Sequence, residues 1–79
     1  MRLDKFLKVS RLIKRRTIAN EACDAGKINV GGKSARASYE VKIGDEIEIN
    51  MGQKPLKIRV LKVSEIIGKD GASGLYEVI

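Results

Sequence analysis

The 79-residue chain carries 16 Lys or Arg against 10 Asp or Glu, a net charge of +6, with no His, one Cys, no Trp and three aromatics: Phe6, Tyr39 and Tyr76. A chain of this size forms one domain over residues 1–79, with a folding free energy of roughly 4 to 12 kcal/mol on the per-residue scale. It lacks the residues for an internal disulfide, a Cys/His zinc site or a His-based triad. No cofactor is expected, and neither is a signal segment or membrane span, since charges interrupt every apolar run.

The first element is an amphipathic helix over about Leu3 to Val9 or slightly beyond. Leu3, Phe6 and Leu7 recur at i, i+3 and i+4, and Val9 and Ile13 continue the apolar side. The polar side carries Arg2, Lys5 and Lys8, and Asp4 stands one turn before Lys8 in the favourable acid-then-base order. A second helix follows, with Ile18, Ala22 and Ala25 in one line and Ala19 and Cys23 beside it. It ends at Gly26, which suits a left-handed C′ position. Its small residues allow close packing on the first helix, and Thr17 is the nearest capping candidate at its start.

After Gly26 the period changes from helix to strand. Lys27-Ile28-Asn29-Val30 alternates, Gly31-Gly32 is a two-residue hairpin signal, and Lys33 to Ser38 forms a polar return. A turn at Gly44-Asp45 leads into the strand Glu46 to Ile49. Beyond residues 50–54, Leu56, Ile58 and Val60 face one way, with Lys57 and Arg59 the other. The Val60-Leu61 pair breaks that alternation as a bulge or bend does. Gly68 to Gly74 reads as a mobile loop and Leu75 to Ile79 as a closing strand. The expected fold is therefore α+β, with two packed N-terminal helices followed by a small, mostly antiparallel sheet of four or five strands.

The charge is concentrated at one end of the chain. Residues 1–36 hold ten bases and three acids, a net of +7, whereas residues 37–79 hold six bases and seven acids, a net of −1. Lys14, Arg15 and Arg16 stand at the second helix's N-terminus, where cations oppose the macrodipole unless phosphates occupy that end. With Arg2, Lys5, Lys8 and Arg11, and with Lys27, Lys33 and Arg36 on the adjoining strands, they form a candidate phosphate-contacting surface. Modules that read single strands stack bases on aromatics, and the basic half has only Phe6, which the periodicity places in the core. Structured RNA held by shape and charge is the expected target. Asp4, surrounded by bases, is expected to orient Arg11 or Arg16. Cys23 is expected to be a buried small hydrophobe, and Asp45, Glu46 and Glu48 to occupy a turn and an outward strand face.

Arg2-Leu3-Asp4-Lys5-Phe6-Leu7, Ser10-Arg11, Arg16, Ala19, Gly26-Lys27-Ile28, Val30, Gly32-Lys33, Ser38 and Gly44-Asp45 together resemble the S-four RNA-binding domain family. The resemblance covers about residues 2–49 and leaves 50–79 as a C-terminal strand extension. It implies that the helix pair and hairpin bind RNA through Arg2, Lys5, Arg11, Arg16, Lys27, Lys33, Arg36 and Ser38. The chain departs from the pattern at Arg15, where relatives often place Ser or Thr. Among family members it is similar to stand-alone bacterial ones akin to the small heat-shock ribosome binders. That likeness implies a cytoplasmic, monomeric, non-enzymatic factor that binds large-subunit ribosomal RNA beside peptidyl-tRNA. Such a factor assists alanine tailing of stalled chains, with RqcH supplying alanyl-tRNA. Two alternatives remain open at this point: a heat-shock-type recycling factor, and an accessory subunit of an RNA-modifying enzyme.

Overall fold

The computed structural model describes residues 1–63 and 72–79. Helix α1 spans Leu3–Val9 and buries Leu3, Phe6 and Leu7, the i, i+3, i+4 set of the sequence pattern. Its first amide donors, which have no intrahelical backbone partner, are taken up by two carbonyls outside the helix and by the Asp4 side chain. Leu3 N donates to the Tyr39 carbonyl at 2.8 Å, Asp4 N to the Ala37 carbonyl at 3.2 Å, and Lys5 N to Asp4 Oδ1 at 2.8 Å. The segment 37–41 thereby lies against the start of α1, and an isolated bridge pairs Arg2 with Glu40.

The α1 helix ends in a left-handed turn at Arg11, whose φ is +63°. Arg11 N bonds the Lys8 carbonyl at 2.9 Å, and Ile13 N reaches back to the Leu7 carbonyl at 3.0 Å. Ile13 is thus drawn into the core just after the turn.

Helix α2 spans Arg16–Asp24 and packs on α1 through Ala19, Ala22 and Cys23. The expected packing line is corrected here. Ile18 is 40% exposed because the helix is rotated so that Ala19, Ala22 and Cys23 meet α1, and Ala25 is exposed at the C-cap, just past the end of the helix. Thr17 is not the cap: Arg15 occupies that position, and its side chain makes no capping hydrogen bond. The C-terminus follows the expected pattern. Gly26 has φ +73°, its N–H bonds the Cys23 carbonyl, and Lys27 N bonds the Ala22 carbonyl, which is the Schellman arrangement.

Five strands among the described residues form one antiparallel sheet: β1 (Ile28–Val30), β2 (Lys33–Ser34), β3 (Glu46–Ile49), β4 (Leu56–Val60) and β5 (Tyr76–Val78). Their spatial order is β2-β1-β3-β4-β5. Gly31 and Gly32, at φ +60° and +84°, close the β1–β2 hairpin, as a two-residue turn with two positive φ values requires. The polar return is shorter than expected, with only Lys33 and Ser34 paired as strand. Ile28, Ile47, Ile58 and Val60 line the face against the helices. Leu56 faces the same way as Ile58 and Val60, as expected, and is 37% exposed at the strand's end.

The opposite face matches charge across strands. Arg59 meets Glu77 at 2.9 Å and Glu46 at 3.8 Å, and Lys57 meets Glu48 at 3.8 Å. The bend after Val60 is a bulge, since Leu61 N and Lys62 N both donate to the Leu75 carbonyl. A 3-10 turn over Ala72–Leu75 precedes β5, so Leu75 closes a turn rather than opening a strand. The expected loop of Gly68 to Gly74 lies partly outside the described residues. No helix among the described residues is long and apolar enough to cross a membrane.

Candidate nucleic-acid interface

The site is organised by one carboxylate. The Asp4 side chain is 3% exposed, whereas the flanking Arg2 and Arg16 side chains are 50% and 45% exposed. Arg2 Nε lies 3.3 Å from Oδ1 and its Nη2 lies 3.5 Å from Oδ2. Arg16 approaches with Nε at 3.2 Å from Oδ2 and Nη2 at 3.5 Å from Oδ1. Two guanidinium forks, one from the residue before α1 and one from the first residue of α2, are thereby held on a single acid. Each keeps its remaining N–H donors towards solvent, the arrangement that suits a bidentate grip on phosphate.

Asn20, one turn after Arg16, donates to Asp4 Oδ2 at 3.5 Å. Burial pushes the Asp4 carboxyl up, but the hydrogen bonds from Arg16, Asn20 and the Lys5 amide, with the charge of Arg16, outweigh it. The group sits below its ordinary value.

Asp4 pairs with Arg16, one of the two arginines expected beside it, and its second partner is Arg2 rather than Arg11. Arg11 stands exposed on the left-handed turn at the far end of α1. Asn20 was not legible as a member of this cluster; the signal available was its i+4 spacing from Arg16 on one helix face.

The other basic residues fall into separate groups. Lys33, Arg36 and Ser38 border one shallow concavity with Tyr39, whose hydroxyl donates to Asp45 Oδ2 at 2.9 Å. Because segment 37–41 runs beside the start of α1, this concavity adjoins the Arg2 end of the cluster. Lys8 and Lys27 are exposed and Lys5 is half-buried. The run Lys14-Arg15-Arg16 is divided by the start of α2. Arg16 turns to Asp4, while Lys14 and Arg15 line a different hollow with Leu12, Ile13 and Ile18.

Cys23 is buried beneath the helix pair. Burial, and then the charges of Asp4 and Asp24, push its thiol up to about 11, so it remains protonated and unreactive near neutrality. Among the described residues no group of three or more His, Cys, Asp or Glu is placed to hold a metal ion.

The S4 domain profile matches residues 1–47, from before α1 into β3. The chain belongs to the S4 domain family. This S4-domain protein is 56% identical over 78 residues to the RQC P-site tRNA stabilizing factor of Halalkalibacterium halodurans, an alignment spanning 99% of this chain and 89% of the relative. It is 49% identical over 79 residues to the protein of the same name from Streptococcus pneumoniae, spanning 100% and 90%. Among solved structures, the trimeric Heat Shock Protein 15 of Vibrio cholerae matches it with a TM-score of 0.92 at 32% identity, covering 100% of this chain and 81% of that one. The S4 assignment and the helix-pair-plus-sheet fold agree with the sequence reading.

Proposed function

We propose that the chain is a non-enzymatic RNA-binding factor of the bacterial cytoplasm. It holds large-subunit ribosomal RNA and a P-site peptidyl-tRNA in one geometry while a stalled chain is tailed with alanine by an RqcH-type partner. The observation that carries this reading is the buried Asp4 carboxylate presenting Arg2 and Arg16 as a pair at the basic end of the molecule. The full-length likeness to proteins named as P-site tRNA stabilizing factors supports the choice of target.

In this reading Arg2 and Arg16 are the chief phosphate ligands and Asp4 orients them. Lys5, Lys8 and Arg11 flank them on α1 and its turn, while Lys27, Lys33, Arg36 and Ser38 extend the contact along the hairpin and the segment after it.

Sedimentation tests the proposal. Wild-type protein migrates with large subunits bearing peptidyl-tRNA at physiological salt, and Arg16→Glu, folded by its thermal melt, stays at the top of the gradient. Co-migration of that variant would overturn the proposal. A second reading, recycling of separated subunits, is favoured by the likeness to Heat Shock Protein 15. It predicts equal binding to subunits with and without peptidyl-tRNA.

A further inference from the structure

Lys14 and Arg15 do not join the arginine pair on Asp4. They rim an apolar groove of about 510 Å³ between the turn after α1, the first turn of α2 and the ends of β3 and β4. Ile18, Met51 and Leu56 converge there from three separate segments and are 40%, 39% and 37% exposed. Leu12 is half-buried beside them. A gathering of large apolar side chains beside a polar rim, on a protein this small, marks an interaction surface rather than a folding requirement.

The lining decides the class of occupant. Its apolar wall is aliphatic side chains and a thioether, with no aromatic ring among the described residues, and its one guanidinium, that of Arg15, stands at the rim, whereas bases splayed from RNA stack on aromatic or guanidinium planes. Leu, Ile and an adaptable Met pack well against aliphatic side chains. Among the described residues no carboxylate lines the groove, so the charges at its rim, Lys14 and Arg15, are positive and complement acids on the visitor.

We propose that this groove docks a segment of a partner protein that carries apolar side chains flanked by Asp or Glu. The protein would then join two macromolecules, with RNA on the Arg2–Arg16 pair and a protein segment on the neighbouring hollow.

Photo-crosslinking tests this in cells, with benzoylphenylalanine replacing Met51 in the full chain and a control probe at exposed Ile43. The expected product is a Met51-specific crosslink that mass spectrometry maps to a protein segment of apolar and acidic residues. Adding Ile18→Asp, which places a carboxylate at the groove, reduces it at least tenfold while thermal melting and RNA affinity are unchanged. A probe at Ile18 combined with Met51→Asp repeats the test from the other wall. Crosslinking to RNA, to a second copy of this chain, or to a segment lacking acids would each overturn the proposal, as would a yield no higher than at Ile43.

Discussion

Asp4 separates order from charge at the residue scale. Asp4→Asn keeps the side chain's shape and raises the net charge by one, so pure electrostatics predicts tighter RNA binding. The observed geometry predicts the opposite, because the guanidinium forks of Arg2 and Arg16 lose the acid that aligns them. Affinity measured by fluorescence anisotropy should fall about tenfold. Stability should fall by about 1–2 kcal/mol, a modest figure because both arginines are half-exposed and screened.

The pH dependence has a definite sign. A carboxyl lowered on folding stabilises in full above its unfolded value of about 3.9 and loses that contribution as pH falls through the lower folded value. Acid titration should therefore show wild type losing its advantage over Asp4→Asn only below about pH 4.

Arg11 provides a second test at this scale. An L-residue in the left-handed region costs roughly 1–2 kcal/mol, partly offset in glycine by greater freedom of the unfolded chain. Arg11→Gly should raise stability by about 1 kcal/mol in urea unfolding while weakening RNA binding. Lower stability would show that the turn at φ +63° carries no strain. Much at this scale was legible in the sequence: an acid amid bases announces an ion-paired carboxylate. Which arginine it holds was not, because the partner is fixed by how the start of α1 meets the start of α2.

At the scale of elements, periodicity located both helices and the strands β1, β3 and β4, and the glycines marked their ends. Gly26→Ala checks one such end. The added Cβ would stand 3.6 Å from Ser34 Oγ, an ordinary contact, so the expected cost of about 1–2 kcal/mol arises from φ alone. A loss well beyond that in thermal or urea unfolding would mean that crowding, not backbone geometry, governs the site.

Helix α2 shows where periodicity fails. Ile18 and Ala25 lie close in angle to the buried stripe, and only the near approach of α1 keeps Ala22, from the expected line, buried with Ala19 and Cys23 while leaving the other two out. The same rotation leaves Ile18 on the groove, so the misplaced residue proved to be the informative one. The pairing of segment 37–41 with α1 was likewise invisible, because it depends on backbone hydrogen bonds that no side-chain pattern records.

At the scale of the whole molecule, the two signs of charge have separate addresses. The acids of β3 and β5 are met by Lys57 and Arg59 across the sheet's solvent face, while the excess of the first 36 residues lies on the helix pair, its turns and the hairpin. Composition alone disclosed that imbalance, but not its division into the Asp4 cluster, the Lys33–Arg36 concavity and the cationic rim of the groove.

If about six phosphates are engaged, affinity should drop roughly a thousandfold between 50 and 200 mM salt, and each cation removed from the set should reduce the salt slope by about one. RNA binding by the Arg2–Arg16 pair is tested by crosslinking the protein to its RNA in cells and sequencing what is bound. Large-subunit ribosomal RNA and tRNA should be recovered together, with both lost in Arg2→Glu and Arg16→Glu. Recovery of unrelated transcripts, or of the same RNAs from the two variants at wild-type yield, would contradict it.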